Sequence, residues 1–173
     1  MFSDGVSPTD DSILTFATAD WIMHGGAAWK HYVKYASKYD CPVGGYGGGF
    51  TRYVIKAVTT GKAEPYNSCG NGSAMRISPV GWAFNTREEV FARAKESAEC
   101  THNHPEGIKG AQATALAIFM ARNGASIGDI FTPYPLLFSE TPALALPQFF
   151  SLFYGVFRRR VLFVGLLRAS TWR

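Results

Sequence analysis

Tyr66-Asn-Ser-Cys-Gly-Asn-Gly-Ser-Ala-Met-Arg76 carries little hydrophobic periodicity, yet it lies between stretches whose apolar spacing is helical. Asn67, Ser68, Gly70, Asn71, Gly72 and Ser73 fall within seven positions. Glycines at 70 and 72 permit positive φ and remove the Cβ, so backbone N–H groups can approach a ligand closely. Asn and Ser add side-chain donors and acceptors, and Ser73 is expected to cap the turn that follows. Exposed amides ahead of a helix start suit an anion such as a phosphate. The alternative reading is an ordinary Gly/Asn/Ser connecting loop.

Upstream, Ser7-Pro-Thr-Asp-Asp-Ser12 reads as a helix start, with cap candidates, a proline and acidic first-turn residues. Ile13, Leu14, Ala17, Trp21 and Ile22 recur at helical spacing, and His24-Gly-Gly26 ends the run. Asp10 and Asp11 can act simply as dipole-complementing residues, worth roughly 0.3–1 kcal/mol each. Thr9, Asp10 and Asp11 also place three hard oxygen donors in one turn, the kind that Mg²⁺ or Mn²⁺ prefers. A second helix is expected over Ala27–Tyr39, with Trp29, Tyr32, Val33 and Ala36 inward and Lys30, Lys34 and Lys38 on a solvated face. His31 reads there as a surface residue. Cys41-Pro42 breaks this helix, and Gly44–Gly49 reads as a flexible loop lacking the Gly-Lys-Ser/Thr ending of a P-loop. A helix over Phe50–Val58, stopped near Gly61, leads into the central stretch.

Downstream, Thr86-Arg-Glu-Glu89 has capping-box spacing and opens a helix running to about Cys100, with Val90, Phe91, Ala94 and Ala98 on its apolar side. Thr101-His-Asn-His-Pro-Glu-Gly107 precedes an Ala-rich helix expected over Ile108–Arg122 and closed by Asn123-Gly124. His102 and His104, two apart, do not share a helical face, which argues against a joint zinc site. One of them is expected to present a hydrogen-bonding group to a ligand, or else to form a polar corner capping the next helix. No alternating strand pattern appears, so the fold class is all-α, with about five helices in residues 1–130.

The chain has 173 residues, enough for one domain with a substantial core, and 47% of them are hydrophobic. No run of 18 apolar residues predicts a membrane span, and the opening Met1-Phe-Ser-Asp-Gly5 does not resemble a signal peptide. Three cysteines, Cys41, Cys69 and Cys100, without finger-like spacing point to free thiols in a reducing cytoplasm. The net charge of +4 belongs to one end: residues 1–130 carry 12 Lys/Arg and 12 Asp/Glu, whereas residues 131–173 carry five Arg against Glu140. The basic charge therefore says nothing about a nucleic-acid surface on the main body, and no nucleic-acid partner is expected.

Three segments together resemble the ADP-ribosylglycohydrolase family, the relatives of dinitrogenase-reductase-activating glycohydrolase. They are Thr9-Asp-Asp-Ser12, Gly70-Asn-Gly-Ser-Ala-Met-Arg76 and Thr101-His-Asn-His-Pro-Glu-Gly107, in that order on a helical pattern covering about residues 5–130. The resemblance implies a compact, orthogonal all-α domain holding two Mg²⁺ ions beside an ADP-ribose cleft. It implies hydrolysis of ADP-ribose from a protein side chain or a related small-molecule derivative. By position Thr9, Asp10 and Asp11 would be metal ligands, with Asp10 and Asp11 also catalytic. Ser68, Gly70, Asn71 and Gly72 would lie along the diphosphate and distal ribose, and His102 would contact a ribose. Metal would orient ribose hydroxyls and water while backbone amides held the diphosphate.

Two features of the family pattern are not matched: an opening Gly-rich helix with an acidic residue, and a C-terminal Gly-Asp-x-Asp-Thr-like motif completing the metal site. The expectation is therefore an incomplete form with weak Mg²⁺ binding and little turnover. The alternative is a non-catalytic ADP-ribose-binding module. Residues 131–173 form a second region, where prolines give way to Phe149–Phe157 and Val161–Leu167 around three arginines. These runs are too short to span a bilayer. A shifted or mis-joined reading frame is the expected origin, with a membrane-surface segment as the alternative, and loose packing and marginal stability are expected to follow.

Overall fold

The computed structural model of the chain describes residues 8–39 and 45–131, the last for its backbone alone. The expectations for Ser7, Cys41-Pro42, Gly44 and residues 132–173 lie outside the described residues. The chain divides into units Met1–Leu137 and Phe138–Arg173, and every described residue belongs to the first. The fold is all-α. In chain order the helices are α1 (Asp10–His24), α2 (Ala28–Lys38), α3 (Gly48–Thr60), α4 (Gly72–Met75), α5 (Ser78–Ala83), α6 (Arg87–Glu99), α7 (Pro105–Arg122) and α8 (Ile127–Phe131). Among the described residues there is no strand, and no helix is long and apolar enough to cross a membrane.

Helix α7 is the centre of the packing. Its alanines Ala111, Ala113, Ala115 and Ala117 are fully buried, since α6, α5 and α4 all lie against it. Small side chains let the helices come close. At Gly81 of α5, an added Cβ would sit 2.7 Å from the Ala115 carbonyl oxygen and from Ile118 Cβ, so only glycine fits that crossing. Leu14, Ala17 and Trp21 of α1 join Tyr32 of α2, Phe50 and Tyr53 of α3, Val80 of α5 and Val90 and Ala94 of α6 in one core. Each large side chain there contributes roughly 1.5–3 kcal/mol through removal from water.

A buried polar chain runs through this core. Thr18 of α1 shares a 3.2 Å hydrogen bond with the Tyr32 hydroxyl, which meets Ser97 Oγ of α6 at 2.6 Å. The Arg76 guanidinium stacks on the Tyr32 ring, 3.8 Å from its centroid. At the far end of α1, Asp20 accepts from His31 Nδ1 at 2.8 Å and from Lys34 Nζ at 3.0 Å, pinning α1 to α2.

Most helix limits follow local rules. The predicted capping box is present: Glu89 N–H donates to Thr86 Oγ1 at 3.2 Å, and the Thr86 N–H reaches back to Glu89. Gly61 closes α3 in the left-handed region, with φ 69°.

Several expectations are corrected. Helix α7 begins at Pro105, three residues before the predicted start, because proline is tolerated at the first helical position and His104 caps it by accepting from Glu106 N–H at 3.2 Å. Helix α3 takes in Gly48 and Gly49, which read as loop. Eight helices are described rather than about five, the short α4, α5 and α8 being too brief for periodicity to register. His31 is no surface residue: its side chain is 14% exposed and bonded to Asp20. Ser73 does not cap a helix. It lies buried inside α4 and donates to the Gly107 carbonyl at 2.8 Å, joining α4 to α7. Nor do Gly70 and Gly72 adopt positive φ; that conformation falls to Asn67, at φ 53°.

Candidate functional site

The two middle motifs are tied to each other. Tyr66 N–H donates to the Thr101 carbonyl at 3.4 Å, and Asn67 N–H donates to Asn103 Oδ1 at 2.8 Å. Ser68 Oγ accepts from Gly70 N–H at 3.2 Å, tightening the loop between them. The result is a cleft of about 240 Å³. Its walls are the first turns of α1 and α3, the 66–72 loop with α4, and His102 at the α6–α7 corner.

Asp10, Ser68, Gly70, Asn71, Gly72 and His102 all border this cleft. Thr9 and Asp11 stand beside Asp10 on the same turn but do not line it. Thr9 is the N-cap of α1 without a side-chain capping bond, and its carbonyl accepts from Ser12 and Ile13. Asp10 Oδ1 accepts from Asp11 N–H at 3.1 Å. Burial, and then the neighbouring Asp11 charge, raise the Asp10 pKa above the ordinary carboxylate value. Among the described residues no ion pair neutralises either carboxylate, and no group of three or more His, Cys, Asp or Glu side chains is arranged to hold a metal.

His102 is buried, and its pKa is lowered to about 3, first by burial and then by the Arg76 charge. The ring is neutral at pH 7. Its Nδ1 lies 2.8 Å from Thr101 Oγ1, and the Tyr66 ring stands edge-on to it at 5.9 Å between centroids. Gly72 is required by space rather than by backbone freedom: an added Cβ would lie 2.8 Å from His102 Cε1 and Nε2. His104 turns instead to its capping role, so the two histidines separate as their spacing predicts.

Sequence reasoning missed part of the lining. Gly47, Gly48 and Gly49 border the cleft, as do Leu14, Phe50, Tyr66, Met75 and Arg76. The glycine run was the available signal, because a backbone without side chains leaves room for a neighbour. Here Gly49 admits the Tyr66 ring, whose Cε2 would be 3.0 Å from an added Cβ. Arg76 is fully buried and donates through Nη2 to the Ser97 carbonyl at 2.7 Å and to Thr101 Oγ1 at 2.9 Å. Its Nε and Nη1 have no hydrogen-bond partner among the described residues.

Comparison with known proteins agrees with the family resemblance. The profile of the ADP-ribosylglycohydrolase family matches residues 3–160, continuing past the compositional change at about residue 130. The chain is 29% identical to ADP-ribosylhydrolase ARH3 of Mus musculus over 137 residues, covering 71% of this chain and 37% of that protein. It is 30% identical to ADP-ribosylhydrolase ARH3 of Danio rerio over 125 residues, or 66% of this chain and 32% of the relative. A shorter match to ADP-ribosylhydrolase ARH3 of Homo sapiens reaches 38% identity over 64 residues, 37% of this chain and 18% of that protein. The chain thus spans between 18% and 37% of the length of these relatives. With the match extending over most of its residues, the chain belongs to the ADP-ribosylglycohydrolase family.

Proposed function

We propose that this chain takes part in the hydrolysis of ADP-ribose from ADP-ribosylated protein side chains, or from related ADP-ribose derivatives, in a Mg²⁺-dependent reaction. The observation that carries the reading is the shared cleft, where the Asp10 carboxylate, the Ser68–Gly72 loop and neutral His102 face one space. In this reading the loop amides and the Ser68 and Asn71 side chains hold the diphosphate. A neutral imidazole at His102 binds a ribose hydroxyl without adding charge. Asp10, raised in pKa, takes a proton from the attacking water. The water oxygen bonds to the ribose C1 as the bond from C1 to the side-chain atom breaks, and the proton taken by Asp10 passes to the leaving side chain.

Thr9, Asp10 and Asp11 fit a divalent cation by donor type. All three offer hard oxygens, and two adjacent carboxylates with no cation partner among the described residues hold uncompensated charge that an ion would relieve. Mg²⁺ commonly takes one or two carboxylates and completes its shell with water and substrate oxygens. A bound ion would supply positive charge to orient ribose hydroxyls and water. With a single acidic turn as protein ligand, weak Mg²⁺ binding and slow turnover are expected of this chain. A cytoplasmic location is part of the same proposal, resting on the free thiols of Cys69 and Cys100.

The test is release of ADP-ribose from ADP-ribosylated peptide by the purified chain, with Mg²⁺ and with chelator, beside calorimetry with ADP-ribose. Mg²⁺-dependent release that Asp10→Ala abolishes supports the proposal. Metal-independent binding without release, lost in Asn71→Ala, would replace it with a binding module. Neither binding nor release would overturn both.

A further inference from the structure

We infer that Arg76 and Thr101 are positioning residues for His102, fixing which ring nitrogen carries the proton and keeping the imidazole neutral where it faces the cleft. Its relevance to catalysis rests on the proposed ribose contact of His102; the ring state itself does not.

The geometry is a relay. Arg76 Nη2 donates to Thr101 Oγ1 at 2.9 Å, and a guanidinium can only donate. That oxygen is therefore an acceptor toward Arg76, and its own hydroxyl proton is available to His102 Nδ1, 2.8 Å away. On this inference Nδ1 accepts that proton and the ring proton sits on Nε2. The Cε1–Nε2 edge lies against Gly72, a residue of the cleft wall, and no described group hydrogen-bonds Nε2. The relay therefore leaves one N–H donor toward the ligand space and no competing acceptor.

Arg76 has the further role of a fixed charge. It is fully buried, with the Tyr32 ring on one face and the Ser97 carbonyl anchoring Nη2. No carboxylate pairs with it among the described residues, so its field acts on its surroundings unneutralised. The other titratable groups toward His102 are Tyr66, edge-on from the loop, and Asp10 on the same cleft. Cys100 lies behind Thr101, where burial raises its thiol. At the start of α7, His104 is occupied by Glu106 N–H, and Glu106 pairs with Lys109. Arg76 is the nearby cation, consistent with the lowered His102 pKa.

Imidazole nitrogen correlation spectra of the ¹⁵N-labelled full chain, recorded without ligand from pH 5 to 8, test this directly. Wild type is expected to show His102 as a single Nε2–H tautomer with no titration in that range. Thr101→Val keeps the core volume and removes the relay, and should yield mixed tautomers with titration still absent. Thr101→Ser should restore the wild-type pattern. Arg76→Gln should make the onset of protonation visible at the acid end of that range, with burial still holding the ring below its ordinary value, whereas Arg76→Lys, retaining charge, should not. Amide spectra first establish folding; where the Arg76 variants do not fold, the wild-type tautomer and the Thr101 pair decide. A wild-type Nδ1–H tautomer, or a Thr101→Val spectrum identical to wild type, overturns the inference. So does an unaltered titration in folded Arg76→Gln. In the ADP-ribose calorimetry, Thr101→Val should weaken binding about tenfold. No ADP-ribose binding by wild type, with the expected spectra, would remove the functional reading and leave the ring-state assignment standing.

Discussion

Asp10 and Asp20 occupy the two ends of one helix and meet opposite fates. Asp20 accepts from His31 and Lys34, and these bonds, His31 first, lower its pKa below the ordinary carboxylate value. Its charge is used for architecture, holding α1 to α2. Asp10 has the Asp11 amide beneath it and the Asp11 charge beside it, and burial raises its pKa. Its charge is left over. A carboxylate that the fold neutralises is a structural residue, whereas one that the fold keeps partly buried without a cation is available to something that binds. The sequence marks Asp10 through the Thr9-Asp10-Asp11 motif, but nothing local to Asp20 shows that its charge is used for architecture. What separates them is their partners: α2 brings His31 and Lys34, and α1 itself His24, to the Asp20 end only.

The largest effect expected from breaking this contrast is at the cleft. Under the proposed function, Asp10→Asn should lower whatever kcat/KM the chain has for ADP-ribose release by on the order of 10³. It should leave the thermal midpoint unchanged or slightly higher, because it removes a poorly compensated charge. Single-turnover assays with labelled peptide, run beside thermal melts, read both. A comparable loss of stability would show that Asp10 is structural after all.

The pH dependence comes next. His102 is held neutral in the fold, with its pKa lowered to about 3, while the unfolded chain takes up a proton near the ordinary value of 6.5. Between these limits the unfolded state binds more protons, so stability falls as pH falls, by about 1.4 kcal/mol per unit. Roughly 3 kcal/mol should be lost between pH 6.5 and 4, with the dependence on His102 ending near pH 3. Asp20 acts elsewhere: its contribution is present above the ordinary carboxylate range and is lost only as pH falls through its lowered value. Denaturation at a series of pH values, with His102→Asn as comparison, separates them. The variant should flatten the slope above pH 4 and keep the loss below it.

How far the sequence could be read depended on how local each cause was. The Thr86–Glu89 capping box is set by residues three apart, and it formed as its spacing predicts. The inward set of α1, built on 3.6-residue periodicity, is buried apart from Ile22, which is partly covered. The gathering of Asp10, the central loop and His102 followed from recognising ordered motifs, since nothing in their local spacing brings them together. What escaped depends on partners distant in sequence. His31 reads as surface because its neighbours are lysines, and only the α1–α2 crossing reveals Asp20. Gly72 reads as a source of backbone freedom, whereas its constraint is the His102 ring from 30 positions on. Arg76 reads as a lone charge after an apolar pair, and its burial under Tyr32 has no signal in its own segment.

Removing the architectural carboxylate is the next smaller perturbation. Asp20→Asn leaves His31, 14% exposed, facing an amide instead of a charged acceptor. Hydrogen bonds to charged groups in such settings are worth about 1.5–3 kcal/mol, so a loss of about 2 kcal/mol is expected by denaturant titration. Metal-dependent ADP-ribose release per folded molecule should be unchanged, the reverse of the Asp10→Asn result.

The smallest effect belongs to Lys34, and it tests which arm of the Asp20 cluster matters. Lys34 Nζ is within 3.0 Å of Asp20, close to the 2.8 Å of His31, so distance alone does not rank them. Exposure does. The Lys34 side chain is 61% exposed, so water screens the attraction, and ordering a long flexible chain offsets part of what remains. Its Nζ also stands over the Tyr35 ring, 5.5 Å from the centroid, an exposed cation–π contact that solvent weakens. Lys34→Met should therefore change stability much less than the loss of His31 does. His31→Leu removes the less exposed donor and leaves the Asp20 carboxylate to the more exposed Lys34 and His24, and should cost about 2 kcal/mol. A thermodynamic cycle through Asp20→Asn measures each coupling. A larger coupling to Lys34 than to His31 would show that charge rather than burial holds the α1–α2 junction. Asp20 would then differ from Asp10 only in having a cation nearby, and not in being enclosed by a second helix.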